Sequence, residues 1–228
     1  MKIFIASSLL IGLTLITLNS IEKTGKLIDK SQVTYNLTED KVLDGAYTIQ
    51  DAANVTRLRG SYAKNKRTGN WYCFNSKGKL VLRYNYDLKK LVHFEDEELN
   101  GVEITVLDKD TDVVKNASIP LPICSIEQFK TLIVSELKDE ISLKNKDVGA
   151  DVEAEITALV KADGKVLYNV KYALKGLSYT TMVFPKDKLF SIQWLPATYK
   201  DKAYKSEFKF SSTFKLEASD HKRFIWNY

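Results

Sequence analysis

The strongest constraint on this chain is a run of two-residue alternation between residues 151 and 214. Val152, Ala154, Ile156, Ala158 and Val160 fall on one side of an extended segment, and Asp151, Glu153, Glu155 and Thr157 fall on the other. After a turn at Asp163-Gly164 the pattern returns in Val166, Tyr168, Val170 and Tyr172. It returns again, beyond Trp194, in Tyr204, Phe208, Phe210 and Phe214. Side chains of a strand point alternately to the two faces of a sheet, so each segment presents one apolar and one wet face. An antiparallel sheet built this way needs cover on one face only.

The cover is expected just upstream. Ser125-Ile126-Glu127-Gln128 has the spacing of a capping box, in which a Ser hydroxyl and a Gln side chain satisfy amides at a helix start. Ile126, Phe129, Ile133, Leu137 and Ile141 then recur at helical spacing, with Lys130, Glu136, Lys138 and Asp139 off that stripe. The stripe is expected to lie on the sheet. A second helix between 178 and 192 is weakly marked, because Pro185 falls inside it. The fold class read from these patterns is α+β. Its C-terminal part is an αββ(α)β two-layer domain with a three-stranded antiparallel sheet.

The first half reads differently. Residues 21–94 alternate short β segments, at 32–37, 46–50, 57–63, 70–74 and 80–86, with turns rich in Asn, Lys and Gly. That is the signature of a small antiparallel β-hairpin module. Residues 95–119 form an acidic connecting segment with one expected strand at 102–107. Met1-Lys2 leads into residues 3–18, apolar except for Ser7, Ser8, Thr14 and Thr17, so residues 1–20 read as a signal peptide. The cleavage site is not an Ala-x-Ala, which leaves an uncleaved anchor open as the only expected membrane contact. The fourteen residues 215–228 form a tail ending Phe224-Ile225-Trp226-Asn227-Tyr228. It is either an aromatic strap packed on the protein or a displayed partner-binding peptide.

Strand, Asp163-Gly164 turn, strand, Trp194-Leu195-Pro196-Ala197 and a last strand ending at Phe214 together resemble the C-terminal domain of TonB-type energy transducers, over residues 120–214. The lead-in Pro120-Leu121-Pro122-Ile123-Cys124 is similar as well. The resemblance implies a domain that pairs its exposed sheet edge with an extended peptide, main-chain hydrogen bonds supplying the affinity. Residues 204–214 would be that edge, with Tyr204, Lys205, Glu207 and Lys209 meeting the partner. The long Pro-rich spacer of a transducer is missing, so a complete energy transducer is not expected. Gly60-Ser61-Tyr62 and Gly69-Asn70-Trp71, with Asp44-Gly45-Ala46-Tyr47 as a fainter copy, resemble the MORN-variant repeats of YwqK-type proteins over residues 44–85. That implies stacked aromatic hairpins serving as a binding or spacer element.

Charge and chemistry narrow the function. The net charge of +5 is uneven: residues 1–91 and 156–228 are basic, and 92–155 hold 16 acidic residues against 6 basic. The lysines alternate with aromatics along strands, as on a solvated sheet face, and nucleic acid is not an expected partner. Cys73 and Cys124 are the only thiols. In an oxidising compartment they could form one disulfide joining the two halves, and a buried thiol at Cys73 is the alternative. His93 and His221 lack metal-ligand spacing. Asp108, Asp110 and Asp112 resemble a calcium loop, but Val113 stands where its turn Gly is needed. Pairs such as Glu95 with Glu98, or Glu153 with Glu155, sit on wet surfaces. No catalytic motif, cofactor or metal site is expected. The reading is a non-enzymatic, exported envelope or periplasmic module that captures a protein or peptide strand on its sheet edge. The alternative is a structural or assembly protein whose edge is covered by itself or by a homodimer mate.

Overall fold

A computed structural model describes residues 20–144 and 148–217. The expected leader, His221 and the aromatic end of the tail lie outside the described residues.

The first half becomes one continuous meander. Strands β1 (Ile21–Lys26), β2 (Gln32–Leu37), β3 (Leu43–Gln50), β4 (Thr56–Ala63), β5 (Lys66–Phe74), β6 (Leu80–Asn85) and β7 (Lys90–Phe94) pair antiparallel in chain order. Local turn chemistry explains this order. Four of the connections use the same three-residue loop: the amides of Leu27, Thr38, Asp51 and Asn75 each donate to the carbonyl four residues on. A left-handed residue closes each loop, at Lys30, Lys41, Asn54 and Gly78. This is a type I turn with a bulge, which sends the chain back beside itself. Between β4 and β5 the two-residue turn Lys64-Asn65 has φ of 50° and 65°, as a type I′ hairpin requires. Gly60 is needed for a different reason. A Cβ there would lie 2.3 Å from the Trp71 ring, which is fully buried against it.

The second half contains β8 (Val102–Val106), α1 (Thr111–Asn116), β9 (Leu121–Pro122), α2 (Ile126–Lys144), β10 (Asp151–Val160), β11 (Val166–Leu174), β12 (Leu177–Val183), β13 (Trp194–Leu195), β14 (Ala197–Tyr199), β15 (Lys202–Tyr204) and β16 (Ser206–Lys215). Its main sheet has five antiparallel strands in the order β12-β11-β10-β16-β8. Helix α2 covers one face. Ile126, Phe129, Ile133, Leu137 and Ile141 are all buried, and the Phe129 ring meets Trp194, Phe208 and Phe210 at 5.1–5.6 Å. Ser125 caps the helix by accepting the Gln128 amide at 3.2 Å. Only that half of the capping box forms. The Gln128 side-chain amide is buried and makes no hydrogen bond among the described residues.

The architecture corrects the α+β expectation. The described residues are mostly β, 51% strand and 15% helix, with a seven-stranded and a five-stranded sheet in place of a small hairpin module and a three-stranded domain. No second helix occupies 178–192. Lys175 and Gly176, at φ of 51° and 76°, make a two-residue turn that returns the chain as β12, and the chain from Pro185 to Trp194 is irregular, with a bend at Lys188-Leu189. One core runs through both sheets, including Tyr47, Trp71 and Cys73 from the first, Cys124 before the helix, and Ile156 and Phe208 from the second. No helix among the described residues is long and apolar enough to cross a membrane.

Candidate functional site: the edges of the five-stranded sheet

Strand β16, the expected edge, is interior. It pairs with β10 on one side and with β8 on the other, Glu207 opposite Thr105 and Lys209 opposite Glu103. Lys209 Nζ lies 2.7 Å from Glu103 and 3.8 Å from Glu155. The Lys205 carbonyl accepts the Leu107 amide at 2.8 Å, and Tyr204 belongs to the β14–β15 hairpin, opposite Ala197. Over residues 206–210 the main-chain groups that were to meet a partner are thus taken by the protein's own acidic segment, while 211–215 run past the end of β8. The physical reason is the apolar alternation of Val102, Ile104 and Val106, which matches Phe210, Phe208 and Ser206 across the pair. Residues 95–119 are therefore not merely a connection.

Strand β12 lies at the opposite end of the sheet, with β11 as its one strand neighbour among the described residues. The tight turn makes Leu174 and Leu177 a hydrogen-bonded pair, and such pairs alternate along an antiparallel ladder. The N–H and C=O groups of Ser178, Thr180 and Met182 therefore point away from the sheet. The side chains here are apolar or hydroxylated: Leu177 is 61% exposed and Phe184 59%, with Tyr179 and Met182 also exposed. Residues 177–184 include no charge, and β12 contains no proline and no bulge, the devices that usually protect an edge. Tyr179 stacks on Tyr172 at 5.1 Å, and Thr181 donates to Glu140 of α2, which stiffens the strand from behind. An open hollow of about 450 Å³ adjoins it on the wet face, lined by Glu153, Glu155, Lys171, Ser178, Thr180 and Ser211.

The chain leaving β12 is held by the first sheet. Tyr47 donates to the Leu189 carbonyl at 2.6 Å, Arg67 to the Ser191 carbonyl at 2.7 Å, and Tyr86 to the Gln193 side chain at 2.7 Å. Arg67 also donates to the Tyr62 and Tyr86 hydroxyls and lies over the rings of Trp71 and Phe190. Burial pushes the Tyr86 hydroxyl up to about 12, opposed by Arg67, and pushes Tyr47 higher still. The edge-to-face aromatic cluster of the first sheet thus grips the protein's own segment after β12. Sequence reading missed both this grip and the β12 edge. The uncharged run 177–184 was the available signal for the edge.

The remaining candidates do not converge. Cys73 and Cys124 are buried, free thiols in the same core, which is the buried-thiol alternative rather than the disulfide. Burial pushes both up, Cys124 to about 12, and Cys124 adds to the rise at Cys73. Asp110 caps α1 by accepting the Asp112 amide, and Asp112 accepts the Tyr199 hydroxyl, which makes the acidic loop a helix start. His93 lies 3.2 Å from Glu95. Glu136 is buried and accepts the Lys186 amide, and burial raises its carboxyl above the usual range. Among the described residues no group of three or more His, Cys, Asp or Glu is placed to hold a metal. Comparison of the chain with family models, with curated proteins and with solved structures found no match in any of the three.

Proposed function

We propose that the protein is a non-enzymatic binding module of the cell envelope or periplasm that works by adding an extended strand to β12. One observation carries this reading: an uncharged edge strand offers three residues' worth of main-chain groups that are unpaired among the described residues, beside exposed Leu177, Tyr179, Met182 and Phe184. Main-chain bonds supply the affinity in such pairing, and alternate side chains supply the register. The first sheet contributes by fixing the segment that follows β12, so the edge is held in shape before anything binds. The second reading, an assembly protein, is favoured by β8, which already seals the opposite edge with the protein's own strand.

Photo-crosslinking residues at Ser178, Thr180 and Met182, with Glu207 and Lys209 as internal controls, test the reading in exporting cells. Products from the β12 positions that map to one defined extended segment are expected, with none from the β16 positions beyond β8 itself. Silence at all three β12 positions would overturn it.

A further inference from the structure

We propose that the strand taken up by β12 is β12 of a second copy of this chain, paired antiparallel about a twofold axis at Thr180; this rests on the strand-capture reading above. Among the described residues the two main sheets have four edge strands. Three carry charge on the strand itself: Glu22, Lys23 and Lys26 on β1, Lys90 on β7, and Glu103 on β8. Of these four described edges, β12 alone carries none, in a chain that is 28% charged. Self-pairing sets a strand against its own residues, so a charge near the axis meets a like charge, and an uncharged strand escapes that penalty. An uncharged edge also gives a foreign peptide little electrostatic basis for selection.

The register about Thr180 is complementary at each position. Ser178, Thr180 and Met182 project their main-chain groups outward, so Thr180 meets its own counterpart and Ser178 meets Met182 of the second copy. This makes about six main-chain hydrogen bonds. On the face toward α2, Tyr179 meets Thr181, an aromatic–β-branched pair of the kind that stabilises sheets, and exposed Leu177 falls opposite Val183, which is already buried in its own copy. Phe184 falls opposite Gly176, where the space a Cβ would fill is open, so its exposed ring can lie over the glycine. The result is a continuous ten-stranded antiparallel sheet from two five-stranded halves.

The test uses the full exported chain and the variants Thr180→Lys and Thr180→Glu. Thr180 is exposed, so neither change disturbs the core, and far-ultraviolet circular dichroism checks that both fold. Sedimentation velocity is expected to show a concentration-dependent dimer for the natural chain. Each variant is expected to dimerise about a hundredfold more weakly, because like charges meet at the axis. An equimolar mixture, in which Lys faces Glu, is expected to recover the dimer. A dimer that survives in both variants would overturn the proposal by placing the contact elsewhere. A monomer at all concentrations would overturn it too. In that case a foreign segment trapped from Ser178 or Met182 would leave strand capture standing, and no trapped segment would remove both.

Discussion

Arg67 makes four interactions: with two tyrosine hydroxyls and the Trp71 ring inside the first sheet, and with the Ser191 carbonyl, which ties that sheet to the second half. A guanidinium suits this position because its planar fork can serve several acceptors and a ring face at once, which a lysine ammonium cannot. Arg67→Met is expected to lower stability by about 2–3 kcal/mol in urea unfolding, the range for buried hydrogen bonds to a charged group. Arg67→Lys is expected to recover less than half of that. Glu136 calls for the opposite experiment. Its carboxyl is buried, with one oxygen on the Lys186 amide and the other without a hydrogen bond among the described residues, and burial holds its pKa above the usual value. A carboxyl raised in the folded state stabilises fully below its unfolded pKa, and that contribution is lost as pH rises through the folded pKa. Glu136→Gln keeps an acceptor without the charge. It is expected to raise stability at pH 7 by about 0.5–1 kcal/mol, with the gain shrinking to nothing below about pH 4. Thermal melts of both proteins across that range would show it.

At the scale of elements, the turns and strands were legible because their causes are local. Asn75 and Asp163 accept amides two residues on, and Gly78 and Gly164 supply the left-handed residue that closes each loop, all within five residues. The pairing of β8 with β16 was not legible, because Glu103 and Lys209 are about a hundred residues apart and alternation does not name a neighbour. Their ion pair is exposed on the Glu103 side, so Glu103→Gln is expected to change stability by less than about 1 kcal/mol. Gly60→Ala should cost far more than its one added methyl. The Cβ would penetrate the Trp71 ring, and a buried indole within one core has little room to shift, so a loss of about 2–3 kcal/mol is expected in urea unfolding.

At the scale of the whole molecule, a core that runs from Tyr47 and Trp71 through Cys124 to Phe208 ties the two sheets into one cooperative unit. Thermal unfolding followed by tryptophan fluorescence, by circular dichroism and by calorimetry is expected to give one coincident transition. Two separated transitions would show that the sheets unfold independently. The sequence by itself determined strands β10, β11 and β16, helix α2 and their apolar faces, within 152–172, 204–214 and 126–141, but not β12, where a helix was expected. These follow from side-chain periodicity and turn residues, which act over a few positions. Tertiary structure alone decided which strand edges stay open. That outcome depends on which distant segment reaches a given edge. Residues 102–106 reach β16 and seal it, while the grip of Tyr47 and Arg67 on the chain beyond Pro185 leaves β12 uncovered among the described residues.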